Sequence, residues 1–385
     1  MKKIAVLEAK RAPIGKIPGK LNFIGETELM AIVFAETAKR YEGLISEAVL
    51  GASFPIEKDN LCRKAVLKAG LPAEISAVTV SKTCASSDEA LRIACERIRV
   101  GETGAVLVGG SEKVSNSPYM LRHMKKNVKL SLKGQMPWYS EILDNIAEND
   151  MAYLYETISR KYGITREAQD AYTLRSIEKA AAAGKRPEII PVSYANCDRE
   201  YYLDTDEMPL NAKTEQEIRN AGPMFLRDGF ITQYNAAIMC DCSCAMLIMD
   251  FDLAAGLGLK PEVSILDTCC LGVPKDKAGQ AMRECASKAV EANGLNFSDI
   301  DLFEINESFA AQAIFTIEEL GLDMEKVNRN GGSLALGYPV GAAGLRMNVS
   351  LVNEMIRSGA KFGLSVMCAG GNMANAAIFK REGGK

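Results

Sequence analysis

Histidine is nearly missing from this chain of 385 residues: the one present, His123, lies in the basic run Arg122 to Lys133. A lone histidine in such a run is more often surface decoration than a catalyst. The run itself reads as a solvated face, with phosphate contact as the alternative. Charge of one sign is not in excess either, since the formal net charge is −3 and the pI about 5.6. That balance argues against a nucleic-acid or anionic-membrane partner and points to a small molecule. No uninterrupted apolar run reaches the length of a membrane span. No secretory leader is expected, because Lys2-Lys3 leads only to Ile4-Ala5-Val6-Leu7 before Glu8. Paired metal-ligand motifs are also lacking. Cys240-Asp241-Cys242-Ser243-Cys244 has no second pair to complete a zinc site, so it reads as the start of a buried strand running through Met249.

Cysteine, by contrast, is plentiful. Eleven are scattered from Cys62 to Cys368, an odd number that reads as free thiols in a reducing, cytoplasmic setting. With 48% hydrophobic and 25% charged residues, the composition is that of an ordinary globular protein, and the length allows two or three domains.

One of those cysteines sits where a nucleophile could be positioned. Val78-Thr79-Val80 is β-branched and reads as a strand end, whereas Ala90, Leu91, Ala94 and Ile98 recur at helical spacing. The chain therefore turns from strand to helix near Cys84. A helix N-terminus favours thiolate over thiol, while Asp88 and Glu89 place opposing negative charge nearby. A buried structural cysteine is the plainer reading of the same geometry, since free Cys is among the most buried residue types. Downstream, Ala105 to Val108 reads as a buried strand ending in Gly109-Gly110.

The pattern then repeats. Strand Ile4–Leu7, helix Glu26–Tyr41, strand Glu47–Leu50 and the Cys84 turn with its helix make one series. Strand Val263–Leu266, helix Gln280–Ala292, strand Leu302–Ile305, the turn Gly331–Gly344, helix Ala342–Ile356 and strand Gly363–Met367 make another. Corresponding points lie roughly 255 residues apart, which predicts two copies of one αβ unit. Crossovers of this kind predict mostly parallel sheets, with ligands at the carboxyl ends of the strands and Cys84 facing the Gly331–Gly344 turn across a pseudo-twofold axis. Between the copies, residues from Ser115 to about Pro223 form a different segment, with a charged helical stretch from Asn149 to Ala183. It reads as an insertion over the site or at a subunit contact.

Seven blocks in order carry a resemblance over essentially the whole chain. They are Arg11-Ala12-Pro13-Ile14-Gly15, Cys84-Ala85-Ser86, Gly109-Gly110-Ser111-Glu112, Gly229 to Asn235, Asn306-Glu307-Ser308-Phe309, Asn330-Gly331-Gly332 through Gly344, and Cys368-Ala369-Gly370-Gly371. With them the chain resembles the thiolase family of acyl-CoA acyltransferases. The resemblance implies an α/β fold with a duplicated αβ unit, a five-layer α-β-α-β-α sandwich and an inserted loop domain. The halves would be residues 1–117, completed by about 224–258, and 259–385, with the insertion at 118–223.

It further implies that Cys84 takes an acyl group from a thioester and that Cys368 moves the proton of the second substrate or leaving thiol. Asn306 would help to build one oxyanion hole, and the backbone N–H groups of Cys84 and Gly370 the other. Ala236, Ala237 and Phe309 would border the coenzyme A thioester, which enters as substrate, with no resident cofactor and no metal. A homodimer or homotetramer is also implied. The family's glycine-histidine-proline block reads Gly337-Tyr338-Pro339 here. A phenol is a poor general base near neutral pH but can donate a hydrogen bond. Ser81 stands in place of an asparagine, Ser87 in place of a glycine, and Ala237 in place of a serine, followed by Ile238-Met239-Cys240-Asp241-Cys242 where a glycine-rich loop is usual. These departures imply atypical activation and a crowded, dry loop beside the coenzyme. Three readings follow: a thiolase-type acyltransferase acting on a 3-oxoacyl-CoA, with Asn306 and Tyr338 polarising the carbonyl; a non-catalytic acyl-CoA-binding protein or partner-dependent subunit; and an acyltransferase to a non-CoA acceptor.

Overall fold

A computed structural model describes residues 2–54, 59–117, 151–208 and 214–383. The elements that position the site, in chain order, are β1 (Ile4–Arg11), α1 (Glu26–Ala38), β2 (Glu47–Gly51), α2 (Leu61–Lys68), β3 (Ser76–Val80), α3 (Ser86–Arg99), β4 (Ala105–Lys113), α4 (Met151–Tyr162), α5 (Arg166–Ala182), β5 (Val192–Asn196), β6 (Arg199–Leu203), β7 (Asp241–Asp250), β8 (Val263–Gly272), α6 (Ala281–Ala292), β9 (Leu302–Ile305), α7 (Ala310–Leu320), α8 (Ala343–Ser358), β10 (Phe362–Ala369) and β11 (Met373–Arg381). Nine strands hydrogen-bond in the order β3-β2-β4-β7-β1-β8-β11-β10-β9. The order of the first half is mirrored in the second, with β1 and β8 as the antiparallel seam between them. The duplication is visible directly in this arrangement.

The sheet is mixed rather than mostly parallel. Parallel pairing is confined to β2 with β3 and β4, and to β9 with β10, while the other five pairings are antiparallel. The physical reason is that β1, β7, β8 and β11 join their neighbours without a strand-helix-strand crossover, and only crossovers enforce parallel pairing. β7 is buried along its whole length, including Cys240's neighbours Cys242 and Cys244, as a strand with layers on both faces must be.

Helices complete the layers. α1 and α2 cover the outer face of the first half-sheet, and α6 covers that of the second. α3 packs on β2 and β4 and also on β8 and β11, whereas α8 packs on β9 and β10 and also on β1, β4 and β7. These two helices therefore form the central layer of a five-layer sandwich. The helical spacing of Ala90, Leu91, Ala94 and Ile98 places all four in one buried cluster with Leu345, Val349 and Val352 of α8. Removing a side chain such as Leu91 there would destabilise the fold by about 2–5 kcal/mol.

The described part of the segment between the halves contains α4, α5 and the β5–β6 hairpin. It is tied down by buried polar groups. Tyr172 Oη and Ser176 Oγ of α5 donate to the Glu307 carboxylate at 2.9 Å each, and Arg11 makes paired bonds to Asp206 at 2.6 and 2.9 Å. His123 and the basic run Arg122 to Lys133 lie outside the described residues.

Candidate active site

Cys84 occupies a tight turn between β3 and α3. Lys82 N–H donates to Ser86 Oγ at 2.9 Å, Ser86 Oγ donates to Thr83 O at 2.5 Å, and Ser86 N–H donates to the same carbonyl at 3.1 Å. Ser86 thus latches the turn from within. Thr83 has φ of 49°, in the left-handed region, where a β-branched residue carries about 1–3 kcal/mol of strain. Gly51 permits the turn to sit against β2, because a Cβ there would lie 2.2 Å from the Ser86 carbonyl carbon. Ser87, the larger residue in the glycine position, accepts the Leu345 N–H at 3.0 Å and so joins the two central helices.

The second thiol is reached from the other half. β10 ends with Cys368-Ala369, and Asn306 follows β9, where its N–H donates to Val366 O at 3.0 Å. Asn306 Nδ2 donates to Ser308 Oγ at 2.8 Å, to Gln312 Oε1 at 3.0 Å and to Cys368 Sγ at 3.2 Å. Gln312 Oε1 also accepts the Ser308 N–H at 3.0 Å, and its Nε2 donates to Tyr155 Oη at 3.1 Å. Because a backbone N–H can only donate, this chain fixes the Gln312 amide and, through it, the Asn306 amide. Among the described residues, Asn306 Oδ1 is left buried without a partner.

Tyr338 closes the site. Gly337 enters it at φ of 91°, and the Tyr338 backbone is pinned by bonds to Ile238 O at 2.8 Å and from Cys240 N–H at 3.3 Å. The ring is 7% exposed and packs in one cluster with Ala85, Cys84, Met239 and Ala369. Among the described residues its hydroxyl makes no hydrogen bond of ordinary geometry, but it lies close enough to Cys84, Cys368 and Ser308 to interact with each weakly. Burial first, and then the two thiols, raise its pKa well above 10. It is therefore a neutral donor and not a base.

Both thiols are protonated near neutral pH. Burial pushes Cys84 up to about 12, with Cys368 adding to the effect, while the residue keeps a partly accessible edge. Cys368 is also raised by burial, against donors from Gln312, Ser308 and Asn306. The thiolate expected from the helix end is thus overridden by desolvation. The expected repulsion from the acidic pair is weakened as well. Against the upward push of burial, Arg92 and Lys82 hold Glu89 at about 2, while burial pushes Asp88 to about 7.

The remaining expected residues gather at the same place. Ala236 bridges Phe309 in antiparallel fashion, Ala237 N–H donates to Ser308 O at 2.9 Å, and Met239 bridges Tyr338. This strip joins the Asn306 block to the Tyr338 turn. Phe309 meets Tyr155 at 5.9 Å and Phe225 at 6.5 Å, and the strip continues into Ile238, 51% exposed. The strip is apolar in its side chains. Gly370 N–H is not free: it donates to Thr83 Oγ1 at 2.9 Å. Thr83, Gln312 and Tyr155 were not foreseen. The spacing of Ser308 and Gln312 across the start of a helix was a local signal for one of them; the others meet the site only through tertiary contacts.

Comparison with known proteins gives the family of the whole chain. Residues 4–252 match the model of the thiolase N-terminal domain, and residues 259–381 that of the thiolase C-terminal domain. The chain is 35% identical to 3-ketoacyl-CoA thiolase of Bacillus subtilis over 399 residues, covering 99% of this chain and 100% of that protein. It is 35% identical to acetyl-CoA acetyltransferase of Syntrophomonas wolfei over 393 residues, covering 98% of each. Among solved structures, acetyl-CoA acetyltransferase of Bacillus anthracis superposes with a TM-score of 0.93 at 32% identity, covering 99% of both chains. Human mitochondrial 3-ketoacyl-CoA thiolase in complex with CoA does so with a TM-score of 0.90 at 28% identity, covering 99% of this chain and 98% of that one.

Proposed function

Because the chain belongs to the thiolase family, we propose that it is a thiolase-type acyltransferase that forms or cleaves the C–C bond of a 3-oxoacyl-CoA through an acyl-Cys84 intermediate. The observation that carries this reading is the convergence of Cys84, Cys368, Asn306 and Tyr338, drawn from both halves of the duplicated fold, on one small site. In the cleaving direction, Cys84 Sγ bonds the 3-oxo carbon of the substrate and the adjacent C–C bond breaks. Its electron pair and a proton leave with the acetyl-CoA product; Cys368 delivers that proton and takes up the one that Cys84 gives up on bonding the acyl carbon. A second thiol, that of coenzyme A, then takes the acyl group and returns a proton to Cys84. Thioesters suit this sequence because sulfur is both a good nucleophile and a good leaving group.

Tyr338 holds the place of the family's histidine and supplies a hydrogen bond to the developing oxyanion, with Asn306 as its neighbour. Activation then depends on proton exchange among thiols rather than on imidazole. The eleven free cysteines support a reducing, cytoplasmic setting, and the family resemblance supports a homodimer or homotetramer. The apolar Ile238–Met239 strip favours a second reading, transfer to an acceptor other than coenzyme A. Protection of the protein against thermal unfolding by free coenzyme A would count against it.

Intact-mass analysis after incubation with acetyl-CoA and with acetoacetyl-CoA tests the main reading. Wild type should gain one acyl group and Cys84→Ala none. No adduct on wild type would favour a binding role.

A further inference from the structure

The donor expected to face a substrate oxygen from the Cys368 side is the Gly370 N–H, and in this chain it is already engaged. It donates to Thr83 Oγ1 at 2.9 Å. The fit is close, since a Cβ built on Gly370 would lie 3.3 Å from that same oxygen. A hydroxyl oxygen that accepts one hydrogen bond still carries its own proton to donate. Among the described residues no acceptor takes the Thr83 proton. Accepting an N–H polarises the hydroxyl and makes it a stronger donor. A second, independent feature points to the same residue: Thr83 immediately precedes Cys84 and is held with φ of 49°. A β-branched residue rarely adopts this conformation, and such outliers persist where the surroundings over-determine them, often at reacting sites.

We propose that the Thr83 hydroxyl, backed by the Gly370 N–H, is a catalytic donor to the oxygen of the carbonyl that Cys84 attacks, the 3-oxo oxygen when the donor is a 3-oxoacyl-CoA. The inference rests on the acyl-cysteine reading above. As Cys84 Sγ bonds the acyl carbon, the carbonyl electron pair moves onto oxygen and is met by the Thr83 O–H. No proton is transferred to that oxygen. When the tetrahedral species collapses, the electron pair returns and the leaving group departs with a proton delivered by Cys368, which is reprotonated by the proton that Cys84 gave up. Gly370 then acts through Thr83, orienting and polarising its hydroxyl.

The test is single-turnover acylation of the full chain by acetoacetyl-CoA, followed by intact mass, for wild type, Thr83→Ser, Thr83→Val and Thr83→Ala. Removing one oxyanion donor slows acylation on the order of 100-fold, so Thr83→Val and Thr83→Ala should both fall by that much at saturating thioester. Half-saturation should change little by comparison. Thr83→Ser, which keeps the hydroxyl, should stay within a few-fold of wild type. A merely structural role would instead track the loss of fold, read by circular dichroism, and serine would not rescue it selectively. Thr83→Ala folded and acylated as fast as wild type, or faster, would overturn the proposal by showing that the hydroxyl is idle or blocks Gly370. If wild type itself takes no acyl group, the reading beneath fails and the proposal falls with it.

Discussion

Replacing Tyr338 by phenylalanine should move stability and activity in opposite directions. Among the described residues the Tyr338 hydroxyl is buried without a hydrogen bond of ordinary geometry, having only weak partners in the Cys84 and Cys368 thiols and Ser308, so the folded protein bears an incompletely compensated polar group. Leaving such a group unsatisfied is worth about 1–3 kcal/mol, which Tyr338→Phe should recover in part or in full. The unfolding entropy near 60 °C, about 2.1 cal/mol/K per residue, gives roughly 0.8 kcal/mol per degree for a chain of 385 residues. The expected rise in Tm is therefore about 1–4 °C. Acylation should slow on the order of 100-fold, or about 2.7 kcal/mol of barrier, because the variant loses a fixed donor to the oxyanion. Scanning calorimetry and timed intact-mass analysis with acetoacetyl-CoA read the two effects separately. A lowered Tm would show that the hydroxyl has a partner in the folded state. Acylation as fast as wild type would remove Tyr338 from the mechanism.

Two further outcomes follow from the titrating groups. With Cys84 pushed up to about 12 by burial, the reactive thiolate fraction grows roughly tenfold per pH unit below that value. The acylation rate should climb about 100-fold from pH 7 to pH 9, and a plateau near pH 7 in stopped assays would show an activated thiol instead. Asp88 accepts from Asn348 at 2.8 Å through one oxygen, its other oxygen has no partner among the described residues, and burial raises it to about 7. Its folded pKa exceeds the unfolded one near 4, so the folded state binds the proton more tightly and stability from this group falls as pH rises from about 4 to 7. Urea titrations should show wild type losing at most about 1.4 kcal/mol per pH unit relative to Asp88→Asn across that window, and equal slopes would refute the assignment.

Much of this molecule was legible in one dimension. The repeated strand and helix patterns predicted the duplication, and the helical spacing of Ala90, Leu91, Ala94 and Ile98 predicted the buried face of a central helix. The ordered blocks marked Cys84, Cys368, Asn306 and Tyr338 as one site. Such features are local: periodicity, turn chemistry and motif order are properties of neighbouring residues. Sheet direction was not legible, because whether β7, β1, β8 and β11 run antiparallel depends on which distant strand each one meets. Nor was the protonation of the thiols, which desolvation by both halves decides against the pull of the α3 N-terminus. The bond from Gly370 to Thr83 spans 287 positions in the chain, and the orientation of Asn306 depends on Gln312 and Tyr155. The sequence by itself determined which groups could react. Only the tertiary structure decided their charge state and which donors they share, because burial and hydrogen-bond partnership are set by residues far apart in the chain.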